Sequence, residues 1–154
     1  MPSRRNSIAL TEEEQQEMLN NGWTLQVASN GVRGFPHVVA MWYVVMDGKI
    51  CFSTFRKSQK VLNLRRDPKI TVMLESGKAY SELKGLVIEG TAEIIEDTPY
   101  VANVMAYVGA KYSGTPIGTP ESQAMNPQAP KRVIIRITPD NIVSWDHSKL
   151  GGKY

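Results

Sequence analysis

The chain has 154 residues, 42% of them apolar and 21% charged, with 18 Lys and Arg against 15 Asp and Glu. These values exclude a disordered chain, a collagen and a coiled coil, and they fit one globular domain spanning residues 1–154. The longest uncharged apolar run, Val38–Met46, has nine residues, well short of the roughly 20 that a membrane helix needs.

The opening residues, MPSRRNSIALTEEE, contain no apolar stretch of signal-peptide length. The single cysteine, Cys51, has no partner for an internal disulfide. Both features lead us to expect a cytoplasmic protein.

Thr11-x-x-Glu14 is a capping box, so a helix is expected over about residues 12–20, ended by Asn20-Asn21-Gly22. Trp23, Leu25 and Val27 then alternate with polar or small residues, a strand signal. His37–Met46 is β-branched and aromatic and reads as one strand, buried on both sides over part of its length. Asp47-Gly48 follows, a dipeptide suited to the positive φ of a tight hairpin turn, and Lys49–Phe55 is the return strand.

Ser58 is placed to cap a helix that stops at Asp67-Pro68, because the residue before proline avoids helical geometry. Lys69–Glu75 is a strand, and Tyr80–Glu96 holds another, with Gly85 and Gly90 suggesting bends or bulges. Thr98-Pro99 reads as an N-cap with proline at the first helical position, followed by apolar residues at helical spacing from Val101 to Tyr112. Residues 113–130 hold four of the nine prolines and read as a loop. In Lys131–Thr138, Val133, Ile135 and Ile137 point one way and Arg132, Ile134 and Arg136 the other. A turn at Pro139-Asp140 and a last strand over Asn141–Asp146 complete the pattern. Many short strands without βαβ alternation predict a mainly β fold, an antiparallel sheet closed into a barrel with helices at its edges.

Sequence motifs for nucleophile-elbow hydrolases, Rossmann dinucleotide binding and phosphate-binding P-loops are absent. The two histidines, His37 and His147, lie in no metal-ligand motif, so no metal is expected. No nucleophile–base constellation is evident either. An enzyme of this sequence would rely on a cofactor for its chemistry, with no catalytic side chain of its own.

Positive charge is concentrated. Arg56, Lys57, Lys60, Arg65, Arg66 and Lys69 place six of the 18 basic residues within 14 positions, opposed only by Asp67. With the hydroxyls of Ser53, Thr54 and Ser58 and an expected helix start, this cluster is a candidate phosphate cradle. It lacks the interleaved aromatics that stack bases, so nucleic acid is not the expected partner.

The stretch FSTFRKSQKVLNLRRDP, with GFPHVVAMWYV upstream and SWDHSKLGG at the end, resembles the flavin/deazaflavin oxidoreductases of the pyridoxamine 5′-phosphate oxidase-like superfamily. The resemblance runs from about Thr11 to Tyr154. It implies a split β-barrel and a homodimer binding coenzyme F-420 or FMN at the subunit interface. Ser53, Thr54, Lys57, Ser58 and Lys60 would hold the cofactor phosphate, and Met41 and Trp42 would flank its ring. Tyr80 and Lys84 would reach the site from the other subunit, Trp145 would close it, and His37 would line the substrate side. Many relatives have proline where this chain has Ala40. The implied activity is hydride transfer between F-420 and a small electron-poor molecule. An FMN-dependent oxidase or reductase, or a cofactor-binding protein without turnover, is the alternative.

Overall fold

A computed structural model describes residues 3–152. In chain order these form α1 (Arg4–Ser7), α2 (Glu12–Asn21), β1 (Leu25–Asn30), β2 (Pro36–Met41), β3 (Val44–Met46), β4 (Lys49–Phe55), α3 (Gln59–Arg66), β5 (Lys69–Ser76), β6 (Lys84–Ile95), α4 (Thr98–Ser113), α5 (Pro120–Gln123) and β7 (Arg132–Asp146). Short 3₁₀ turns cover Tyr80–Glu82, Ala129–Lys131 and His147–Leu150. No helix among the described residues is long and apolar enough to cross a membrane.

All seven strands belong to one antiparallel sheet in the order β2-β1-β5-β6-β7-β4-β3. The edge strands β2 and β3 are neighbours in sequence, joined only by Trp42 and Tyr43. Three virtual bonds reach at most about 11 Å. A flat sheet would hold its two edges about 29 Å apart, six strand spacings. The sheet therefore has to roll until its edges nearly meet, without pairing: a split barrel. Tyr43 plugs the split. It is fully buried, and its hydroxyl donates to Leu19 O at 2.5 Å.

Strand alternation divides the apolar residues into two cores. Val27, Phe52, Val72, Leu86, Val133 and Ile135 fill the barrel with Val61 and Leu64 of α3. On the outer face, Cys51 and Ile134 pack under Val101, Ala102 and Val104 of α4. The alternation expected for residues 132–137 is therefore present, with one face per core.

Local signals hold where the chemistry is local. The Thr11 capping box forms with Glu14. Asp47 and Gly48 take φ of 51° and 78° in the β3–β4 turn, as a two-residue hairpin of this kind requires. Four expectations are corrected. His37–Met46 is two strands, because Trp42 and Tyr43 leave the sheet to cross the split, and β2 is an edge whose residues alternate exposed and half-buried. Pro139-Asp140 makes no turn: β7 runs through it, and register slips from Glu89↔Asn141 to Gly90↔Pro139, leaving Asp140 as a bulge. Asp97, not Thr98, is the N-cap of α4, its carboxylate accepting from Tyr100 N. Residues 113–130 are not wholly loop, since they include α5 and the start of the Ala129–Lys131 turn.

Candidate functional site

The ends of β4 and β7 lie side by side, Thr54 opposite Val133 and Phe55 opposite Arg132. Successive side chains there point to opposite faces, which separates Ser53 from Thr54. Thr54 is buried on the barrel side, where its hydroxyl accepts from Lys60 Nζ at 2.9 Å and lies 3.3 Å from Ser58 Oγ. Ser58 stands at the N-cap of α3, yet its hydroxyl makes no capping bond. The amides of that first turn are thus left without a side-chain cap.

Ser53 is on the α4 side. Arg132 Nη1 lies 3.4 Å from Ser53 Oγ, and the guanidinium sits 4.2 Å over the Phe55 ring. Arg132 Nε is buried with no partner among the described residues. Among the described residues neither Lys60 nor Arg132 has an ion-pair partner. Burial, with Arg132 adding like-charge repulsion, lowers the pKa of Lys60, and burial lowers that of Arg132. Two desolvated cations, three hydroxyls and an orphaned N–H, with no carboxylate paired to either cation among the described residues, are a donor set that fits a phosphate.

Beside this corner is a pocket of about 490 Å³ lined by Ala40, Met41, Ser53 and Arg132 from the sheet, by Trp42 from the crossing, and by Met105, Val108 and Gly109 from α4. Trp42 stacks on Tyr112 with ring centroids 4.6 Å apart and planes 12° from parallel, and Trp23 meets Tyr112 edge-on at 5.4 Å. The Tyr112 hydroxyl donates to Trp23 O at 2.7 Å and accepts from Tyr43 N at 3.1 Å. Lys111 Nζ donates to Tyr43 O and lies 3.8 Å over the Tyr43 ring. The last turn of α4 thereby fixes the crossing residues and, through them, the Trp42 wall.

The structure brings Met41, Trp42 and Ser53 to one pocket with Arg132, and gathers Thr54, Ser58 and Lys60 on the barrel side of the same strand end. Lys57 is exposed on the turn after β4. The other expected residues lie elsewhere in the chain. Lys84 lines a separate cavity of about 420 Å³ between α2, β1 and β5, and its ammonium is 3.6 Å from Asp146. Trp145 covers Gly85, where an added Cβ would sit 2.0 Å from the indole. Tyr80 is largely exposed, its ring 4.5 Å from that of His147. His37 lines a third cavity of about 340 Å³ beside Phe35 and Gln59, its buried Nδ1 without a partner among the described residues. Sequence reading missed Arg132 and the α4 wall. Strand alternation marked the face of Arg132, but nothing local pairs it with Ser53, which lies 79 positions away.

A rolled antiparallel sheet with unpaired edges and a helix over its outer face defines the split-barrel class of fold. The family model described as pyridoxamine 5′-phosphate oxidase matches residues 11–146, and the chain belongs to that family. A conserved hypothetical protein of Mycobacterium tuberculosis is 40% identical, with 99% of this chain and 95% of that one covered and a TM-score of 0.88. An F-420 reductase is 22% identical over 82% of this chain and 94% of its own, with a TM-score of 0.65. An FAD-binding protein of Mesorhizobium loti is 17% identical over 88% and 94%, with a TM-score of 0.66. The last two likenesses are of fold alone. No curated protein gives a significant match.

Proposed function

We propose that the chain is a cofactor-dependent oxidoreductase moving a hydride between coenzyme F-420 and a small electron-poor organic molecule. The observation that carries this reading is a pair of half-buried cations with no ion-pair partner among the described residues: Arg132 in the lining of the pocket walled by Trp42, and Lys60 near enough for the two charges to repel. An apolar pocket with an anion anchor at one end suits a phosphate-bearing ring cofactor. The neighbours named as an F-420 reductase and an FAD-binding protein, on the same fold, support the class.

In this reading Lys60, Arg132, Thr54, Ser58 and Ser53 hold the phosphate, with Lys57 at the outer rim. Met41 and Trp42 flank the ring. When bound, the deazaflavin supplies a two-electron hydride donor or acceptor. The protein contributes position: a rigid indole wall, a fixed anchor and exclusion of water by the α4 side. Among the described residues of one chain, no carboxylate or histidine lines the pocket, so the accompanying proton is drawn from solvent or from a loosely placed donor. Tyr80, Lys84, Trp145 and His37 lie away from this pocket within one chain, and a homodimer is the arrangement in which a second copy supplies them.

Titration of the purified protein with F-420 and with FMN tests the reading. F-420 should bind more tightly than FMN, and the bound, reduced form should reduce quinones or enones. Tighter FMN binding transfers the same site to a flavin. Failure of both to bind overturns the assignment. Light scattering should give twice the monomer mass, and a monomer with cofactor bound would exclude the shared site.

A further inference from the structure

The cavity beside His37 is built from two places, the segment leading into β2 and the first turns of α3. It encloses about 340 Å³, and none of its lining residues lines the Trp42 pocket. Phe35 and Pro36 give it apolar surface, and Arg33, His37, Gln59 and Asn63 give it polar surface. Among the described residues no carboxylate lines it.

Asn63 is fully buried on a helix whose Val61 and Leu64 belong to the barrel core. Its Oδ1 accepts from Gln59 Nε2 at 2.8 Å, and its Nδ2 donates to Ser29 Oγ at 3.1 Å. These two bonds fix the amide, while its second N–H has no partner among the described residues. A donor oriented in advance loses little on meeting a ligand. His37 adds a second orphan: its Nδ1 is buried without a partner among the described residues, where a buried ring nitrogen normally finds one. Arg33 has neither an ion pair nor a hydrogen bond among the described residues, and its guanidinium lies 5.7 Å from the centre of the Phe35 ring. Donors therefore outnumber acceptors, and the missing partner is an acceptor-rich anion. A guanidinium fork matches a planar carboxylate, and the Phe35 and Pro36 surfaces suit an apolar body.

We propose that this cavity is a second small-molecule site, and that it takes a monocarboxylic acid with a compact, ring-sized apolar body. Arg33, His37 and the free N–H of Asn63 meet the carboxylate, and Phe35 and Pro36 meet the body. The proposal goes beyond the cofactor reading and does not draw on it.

Benzoate and its neutral isostere benzamide, titrated into the full chain, test this, with the side-chain amide signals of Asn63 and Gln59 followed by nuclear magnetic resonance. Benzoate should shift both sets of signals and bind about tenfold more tightly than benzamide, the advantage of a charge-assisted bond. Arg33→Gln should raise the benzoate dissociation constant about tenfold and His37→Phe about threefold, and neither residue belongs to the buried core. Lys60→Ala should change that constant less than about twofold, as should saturation with F-420. Unmoved amide signals, equal binding of the two probes, or indifference to Arg33→Gln or His37→Phe would overturn the proposal. So would loss of benzoate binding in Lys60→Ala, which moves the acid to the phosphate corner, or competition with F-420, which makes the cavity part of the cofactor site. Should neither F-420 nor FMN bind while benzoate behaves as described, the cofactor reading fails and the carboxylate site stands.

Discussion

Lys60 and Lys111 are both half-buried lysines near the Trp42 pocket, and burial pulls the pKa of both downward. Their surroundings differ in kind. Lys111 lies on the Tyr43 ring, donates to Tyr43 O and has the Tyr112 ring 5.0 Å away. Lys60 has one hydroxyl acceptor and faces another cation. The Lys111 charge is absorbed by aromatic faces and a carbonyl, so it joins the barrel edges. In the proposed function the Lys60 charge is left for the cofactor phosphate. On that proposal similar burial serves structure in one place and ligand binding in the other, and the neighbours decide which.

Removing what Lys111 serves should have the largest effect. Tyr43→Ala empties a fully buried aromatic site in the split, and should cost about 3–5 kcal/mol in urea unfolding. Next comes Lys60→Ala, which should weaken cofactor binding by about 10- to 150-fold, or about 1.5–3 kcal/mol, without lowering the unfolding midpoint. A drop in stability equal to the loss of binding would erase the contrast between the two lysines. Tyr112→Phe keeps the stack on Trp42 but removes a hydroxyl bonded at both Trp23 and Tyr43. It should cost about 1 kcal/mol and alter the near-ultraviolet circular dichroism of the indoles. Lys57→Ala should change stability by less than about 0.5 kcal/mol and binding far less than Lys60→Ala, because Lys57 is exposed.

The pH dependence sharpens the same comparison. Lys60 is held below the ordinary lysine range of about 10.4, and an anion beside it favours its charged form. Cofactor binding should take up protons, and affinity should fall as pH rises through the lowered Lys60 value. Folding stability follows the opposite sign: the charged form is disfavoured in the fold, so raising the pH through that value relieves a cost. Dissociation constants measured from neutral to alkaline pH should rise accordingly in the wild type and not in Lys60→Met.

Much of this was legible in the sequence because it depends on neighbours a few residues apart. The Asp47-Gly48 hairpin, the Thr11 capping box and the two faces of residues 132–137 are such cases. The cationic corner was legible in part, since Thr54, Ser58 and Lys60 lie within one strand-to-helix turn. Its other half was not. Arg132 joins Ser53 only through the β4–β7 pairing, and Tyr112 reaches Tyr43 across 69 positions. The division of His37–Met46 escaped for a related reason: β-propensity shows that residues favour strands and says nothing about the place where a rolled sheet brings its edges together.

The two-residue crossing also acts as a tether. Near Met41 and Val44 the lips of the barrel cannot part by more than about 11 Å, whatever the rest of the sheet does. Any breathing of the split must therefore resemble the opening of a book whose spine is at Trp42, with Pro36 and Met46 on the free edges of the pages. The wall at the spine moves least, so a ligand resting on it meets a surface already set and loses little affinity to ordering the protein around it.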